Sequence, residues 1–341
     1  MYKLITIFTT LITISVNAFV SNDYLNVVLK NDRLKWNLFE KFIEKYDKKY
    51  NTFEIMSNRF EIFKNNLEMI VKHNSGNNTF EMGLSGFTDM NFDEFKEHYT
   101  GSFNKKLKLK QCGDYKTNKD YDNLPFNVDW SNLYQVNNQM SCGSCYAFSA
   151  VEAIEGAYQI KYDDRIVLSK QQVVDCSKLN SGCNGGLYDW VFMYAMDNAL
   201  CLDDDYTYTS GKTGKAGSCN SCNGVVNVES CYDVMEGNQQ ELKKAITEQP
   251  ISVAIAVNNY FQHYSSGVIT DINKCPPEDL NHAVLLTGYG ETIDGIKYWK
   301  VMNSWDTSWG ENGYFRILRS DNINDNGVCG IATEPSFPLV I

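Results

Sequence analysis

The chain has 341 residues, eleven cysteines and a formal net charge of −11. From Leu124 onward, thirteen Lys and Arg stand against twenty-six Asp and Glu, while the residues before it are near balance. So acidic a surface argues against nucleic acid as a partner, and the length suggests two domains once the ends are assigned.

Residues 1–18 read as a secretory signal. Lys3 gives a weakly positive start, Leu4 to Val16 an apolar core, and Val16-Asn17-Ala18 a small-residue cleavage site. That run falls short of the ~20 residues needed to cross a bilayer, and no later run approaches it, so no membrane span is expected. A secreted chain with this many cysteines is expected to carry a disulfide framework, and the odd count leaves room for one reactive thiol.

Residues from about 33 to 74 predict helix: Trp36, Phe39, Phe42, Ile43 and Tyr46 recur at intervals of three or four, as do Phe60, Phe63, Leu67 and Ile70. Residues 101–123 are rich in Lys and Asn and read as an extended, cleavable linker. Beyond Leu124, helical spacing runs from Cys145 to about Ile160, and Ser169 with Gln172 suggests a capping box opening a short helix. The runs Ile251–Val257, Ala283–Tyr289, Lys297–Val301 and Tyr314–Leu318 predict strands. Helices early and strands late imply an α+β protein with a helical lobe and a sheet lobe.

A cysteine opens the first of these later helices. A thiolate attacks a carbonyl far better than a thiol, and a helix N-terminus and a nearby imidazolium both favour it. Only two histidines follow Leu124, and His282, at the mouth of a predicted strand, is preferred over His263 as the partner. Asn303 can fix the tautomer of that ring, Trp305 can shield the bond, and Gln139 offers an NH2 group to a developing oxyanion. A metal is not expected: Cys219-x-x-Cys222 is half a zinc knuckle without its second half. Cys142-Gly143-Ser144-Cys145 also has the spacing of a thiol–disulfide oxidoreductase, but no βαβ context surrounds it, and that reading leaves the distant Gln, His and Asn unexplained.

The segments NQMSCGSCYAFS, SGCNGG, LNHAVLLTGYG, NSWDTSWGENGYFRI and CGIAT resemble those of papain-family cysteine peptidases, nearest to the cathepsin L-like branch. The resemblance implies a papain-like two-lobe fold with the active-site cleft between the lobes, preceded by a helical inhibitory prodomain. It divides the chain into a signal (1–18), a propeptide (19–123) and a mature peptidase (124–341), with release by cleavage before Leu124. Cys145 is then the nucleophile, His282 the base and acid, Asn303 the orienting group and Gln139 the oxyanion donor. No cofactor is implied. The partners implied are peptide substrates, the chain's own propeptide and cystatin-like inhibitors, for a monomer in a lysosome, acidic vacuole or extracellular space.

Arg59, Phe63, Asn66, Ile70 and Asn74 match the propeptide's helical motif, and Gly83, Phe87 and Asp89 its second short one. Ile55 and Ser85 depart from these, which predicts weakened internal ion pairing. Near the site, Met140 and Asp306 stand where the family has Gly, and Tyr146 where it has Trp. An inactive homologue would have lost Cys, His or Asn, and none is lost. The resemblance further implies the disulfides Cys142–Cys183, Cys176–Cys219 and Cys275–Cys329. That leaves Cys201, Cys222 and Cys231 to supply a fourth bridge and one free thiol, with Cys112 in the propeptide. Gly185 and Gly186 would pair with substrate backbone. Leu187, Tyr188, Ala254, Leu280 and Ala283 would line the pocket for the second residue before the scissile bond, with Glu334 at its base and Trp305 beside the cleft. That pocket predicts a preference for Leu, Phe or Arg. Asn77 heads a glycosylation sequon, and release of the propeptide at acidic pH is expected.

Overall fold

A computed structural model describes residues 21–101, 112–270 and 275–341; the signal sequence lies outside these. The N-terminal part contains helices α1 (Asn22–Leu29), α2 (Asp32–Lys45), α3 (Phe53–Asn74) and α4 (Phe92–Tyr99), with strand β1 (Phe80–Met82) before α4. Asn31, Thr52 and Asn91 cap α2, α3 and α4 by accepting backbone N–H groups, and Glu94 closes a capping box on α4. The helix predicted across 33–74 is thus two helices, broken around Asp47, whose φ of +46° no continuing helix accommodates.

The apolar stripes behave as their spacing predicts. Phe39, Phe63, Leu67 and Ile70 are fully buried, and Trp36, Phe42 and Phe60 pack ring against ring with Phe39 and Phe63. The ion pairing that Ile55 and Ser85 put in doubt is present. Arg59 meets Glu94 at 2.8 Å and Lys48 meets Asp89 at 2.8 Å, while Asn66 donates to the carbonyls of Thr88 and Met90. Ile55 is solvent-facing, and the Ser85 hydroxyl donates to the Gln262 carbonyl, so neither departure disturbs these pairs.

The rest begins with two-residue strands β2 (Gly113–Asp114) and β3 (Val128–Asp129). The helical lobe follows: α5 (Cys145–Tyr162), α6 (Lys170–Cys176), α7 (Tyr188–Asp197), β4 (Leu200–Cys201), α8 (Ser210–Thr213) and β5 (Gly224–Val226). Ser169 caps α6, but the Gln172 side chain reaches Ala199 and Cys201 instead of closing a box. The sheet lobe holds β6 (Val228–Asp233), α9 (Gln239–Ala245), β7 (Ile251–Ile255), α10 (Asn259–Gln262), β8 (Tyr264–Ile269), β9 (His282–Glu291), β10 (Lys297–Met302), β11 (Tyr314–Leu318) and β12 (Ser336–Val340). All four predicted strands are present.

The main sheet runs β1-β8-β11-β10-β9-β7-β12-β6-β2, with β3 also on β9. Its first strand belongs to the N-terminal part: β1 lies antiparallel on β8, Phe80 opposite Gly267. The N-terminal part therefore covers an edge of the sheet, satisfying backbone groups that would otherwise face water. Trp299, Trp305, Trp309, Phe261, Tyr264 and Phe315 fill the sheet lobe. The helical lobe is built around α5, whose buried Ala147, Ala150, Ala153 and Ala157 allow close approach, and which packs against α7, β9 and β12.

Candidate active site

Cys145 is the first residue of α5 and is almost completely buried. No side chain caps the preceding Ser144 position; its hydroxyl bonds Tyr208 at 2.8 Å instead. The positive end of the helix is thereby left for the sulfur, and the backbone N–H groups of Cys145, Tyr146 and Ala283 all favour its anion. Cys145 is the one free thiol among the described residues.

The sheet lobe brings the imidazole. His282 opens β9 and is fully buried, its Nε2 at 2.8 Å from Asn303 Oδ1. That oxygen also accepts the Ser304 N–H at 2.8 Å, which fixes it as the acceptor. Nε2 is then the protonated nitrogen and Nδ1 the basic one, with no hydrogen-bond partner of its own. The Trp305 ring stacks on the imidazole at 4.6 Å and 23°, sheltering the His–Asn bond. Gln139 joins the two halves. Its Oε1 accepts the Ser304 hydroxyl at 2.6 Å and its Nε2 donates to the Cys142 carbonyl at 3.0 Å. His263 stays apart, a buried imidazole without a hydrogen-bond partner that burial pushes down to about 3.

Burial alters the protonation expected of the pair. It raises the Cys145 thiol to about 11 and lowers His282 to about 4, against the support of Asn303. In the covered site both groups are therefore neutral at mild pH, rather than thiolate and imidazolium. The cover is the chain's own N-terminal part. The Tyr99 carbonyl accepts from Gln139 Nε2 at 3.3 Å and from Trp305 Nε1 at 3.1 Å, and the Gly101 N–H donates to the Asn281 carbonyl at 2.8 Å. A Cβ on Gly101 would lie 3.3 Å from the Cys145 sulfur and 3.2 Å from Gly185 Cα. Gly101 thus lies directly over the nucleophile. Nothing in the periodicity of the sequence marks Tyr99-Thr100-Gly101 for this place, nor Tyr208, whose hydroxyl also donates to the Gln139 carbonyl.

Tyr188, Ala254, Leu280 and Ala283 share one buried cluster, and Leu187 and Glu334 are also buried. The Tyr188 hydroxyl donates to the Glu334 carbonyl. Gly186 leaves room for Asn180, whose Oδ1 would sit 2.0 Å from any Cβ there.

Met140 and Asp306 take φ of +53° and +72°, a region natural to the glycines they replace. Asp306 bonds the Ser308 N–H at 2.9 Å within its own turn. The disulfides Cys142–Cys183, Cys176–Cys219 and Cys275–Cys329 are present, and Cys201–Cys222 is the fourth bridge. The expectation of a free thiol left over is corrected: Cys231 is bonded to Cys112.

Residues 124–339 match the papain family cysteine protease, and residues 39–95 match the cathepsin propeptide inhibitor domain (I29). The chain is 39% identical over 317 residues to the probable cysteine protease RD21C of Arabidopsis thaliana, covering 91% of this chain and 69% of that protein. With the senescence-specific cysteine protease SAG12 of the same plant it shares 36% over 336 residues, 95% of this chain and 96% of that one. Among solved structures, the recombinant stem bromelain precursor superposes with a TM-score of 0.81 at 34% identity, over 89% of this chain and 98% of its own. Digestive procathepsin L 3 of Tenebrio molitor larval midgut gives 0.80 at 32%, over 89% and 99%. The chain belongs to the papain family of cysteine proteases and carries that family's I29 inhibitor domain.

Proposed function

We propose that the chain is made as a secreted, self-inhibited zymogen whose Cys145 cleaves peptide bonds once the N-terminal part leaves the cleft. The observation that carries this reading is Gly101 lying over Cys145, with the Tyr99 carbonyl beside it holding Gln139 and Trp305, and His282 bonded to Asn303 under the Trp305 ring. Uncovering returns water to the pair. The desolvation that holds both groups neutral is then relieved, and the proton passes from the Cys145 sulfur to His282 Nδ1. The thiolate adds to the scissile carbonyl, whose oxyanion takes the Gln139 and Cys145 N–H donors. His282 gives its proton to the leaving amine, and water, deprotonated by His282, hydrolyses the thioester.

Acidic activation follows from the sign of one carboxylate. Burial pushes Glu94 up, but the Arg59 hydrogen bond, the Asn91 N–H and the Arg59 charge together hold it below its ordinary value, so that contribution is lost as pH falls below about 4.5. The Cys145 proton moves to His282 within the site, so uncovering leaves the proton count of the pair unchanged and adds no pH dependence of its own. Five disulfides and acid release together fit a secretory route ending in an acidic vacuole, lysosome or extracellular space. Residues 19–123 act as propeptide and 124–341 as peptidase, with Asn77 exposed and open to glycosylation. Cystatin-like proteins fit as further inhibitors of a monomeric enzyme. Gly185 and Gly186 align substrate backbone, and the pocket of Leu187, Tyr188, Ala254, Leu280 and Ala283 accepts Leu or Phe. Glu334 adds a preference for Arg.

The test is hydrolysis of fluorogenic Phe-Arg and Arg-Arg peptides after incubation at about pH 4.5, with Cys145→Ala alongside. Thiol-dependent cleavage confined to the acid-treated wild type supports the reading, and folded, processed enzyme that cuts neither peptide overturns it. Glu334→Ala should lower the Arg-Arg to Phe-Arg ratio; an unchanged ratio removes Glu334 from specificity.

A further inference from the structure

The stretch between the inhibitory contact and the peptidase core belongs physically to the peptidase. Cys112 and Cys231 are both buried and bonded to each other. From there β2 runs parallel to β6, Gly113 opposite Tyr232 and Asp114 opposite Asp233, and the Tyr115 N–H donates to the Asp233 carbonyl at 2.9 Å. The Tyr115 ring meets Phe337 edge-on at 5.3 Å, and its hydroxyl bonds Glu248 at 2.9 Å. Lys119 reaches Thr247 at 2.6 Å and Glu248 at 3.1 Å, and Lys243 sits over the Tyr121 ring at 4.6 Å. These partners are on the sheet lobe, none on α1–α4.

Resting on the zymogen reading above, we propose that residues 112–123 are a strap that stays covalently on the active enzyme, and that the cut which frees the cleft falls on the N-terminal side of Cys112. A cut before Leu124 alone leaves the inhibitory part tied through Cys112 to the body it inhibits. A tether of this kind keeps it at an effective concentration on the order of millimolar, which dilution cannot lower. Only a cut before Cys112 separates the inhibitor from the strap while the disulfide stands.

Zymogen is activated at acidic pH without added thiol, and the active species is tagged by a biotinylated epoxide that alkylates Cys145. Intact mass is then read before and after reduction. The expected tagged species contains Cys112–Asn123 disulfide-bonded to Cys231. A tagged species that starts near Leu124 and has lost that peptide before reduction overturns the proposal. Absence of any tagged species counts against the zymogen reading instead.

A second arm inserts a site for a specific endoprotease after the exposed Asn118. Cutting there and diluting to nanomolar concentration should leave the disulfide-bonded protein inhibited. The Cys112→Ser/Cys231→Ser form should gain at least about tenfold in activity on the same dilution. Equal activity in the two cut forms would refute the tether. If the double variant fails to fold, the mass measurement on wild type still decides.

Discussion

The two lobes of the peptidase reach stability by different routes. Three disulfides, Cys142–Cys183, Cys176–Cys219 and Cys201–Cys222, cross-link the loops around α5–α7. The sheet lobe holds Cys275–Cys329 and, through β6, Cys112–Cys231, and adds long antiparallel ladders, β9 with β7 and β10, around three buried tryptophans. Short helices joined by long loops lose much chain entropy on folding, which cross-links reduce in the unfolded state. A ladder with a large aromatic core gains its stability from burial and hydrogen bonds. The lobes also differ in buried ionisable groups: α5 carries two acids, Glu152 and Glu155, whereas the sheet lobe carries two imidazoles, His263 and His282.

The catalytic pair tests whether the lobes act as one. Cys145→Ala and His282→Ala should each lower kcat by roughly 10^4, and the double variant should lose no more than either alone. Additive losses would mean that the two groups work independently. Trp299→Ala should cost the sheet lobe about 3–5 kcal/mol in denaturant unfolding, since a fully buried indole leaves a large cavity.

The pH liabilities should be opposite. Burial pushes Glu152 up to about 8 despite Lys170 nearby, so the folded state binds more protons than the unfolded one between about 4.5 and 8. Stability should fall by a few kcal/mol as pH rises through that window, and Glu152→Gln should flatten the decline. His263, depressed to about 3, makes the sheet lobe lose stability as pH falls below 6.5, and His263→Phe should flatten that acid limb in the same titration.

Removing Cys201 and Cys222 together should cost about 3 kcal/mol, with hydrogen exchange accelerating around α6–α7 before β9 or β10. Uniform acceleration would deny the lobes their separate character. The smallest effect is at the joint between them: Met140→Gly relieves a left-handed φ and should stabilise the protein by about 1 kcal/mol, read as a small rise in Tm.

Much of this was legible in the chain. Periodicity located α3, α5 and the strands β7, β9, β10 and β11, because each buries a continuous apolar face. The proposed catalytic four could be named because nucleophile, base and amides have few alternatives once the candidate segment is chosen. Three features escaped. The break at Asp47 depends on one backbone angle, which apolar spacing cannot see. The Cys112–Cys231 bond joins residues 119 apart, and counting cysteines says nothing about which are neighbours in space. Tyr99-Thr100-Gly101 could not be placed because its role comes from where the chain passes, not from its own chemistry.

The Tyr99 carbonyl has a consequence for how such an enzyme can change. It occupies the indole N–H of Trp305 and the amide of Gln139, the latter a donor on which turnover itself would draw. Potency and restraint are therefore drawn from the same amide, and substitutions of Gln139 act on both. A substitution that sharpens it for a substrate also tightens the hold of the inhibitor, and one that loosens the inhibitor there blunts the catalyst. Faster activation without loss of turnover has to be sought elsewhere, in the grip of α1–α4 and β1 on the sheet lobe.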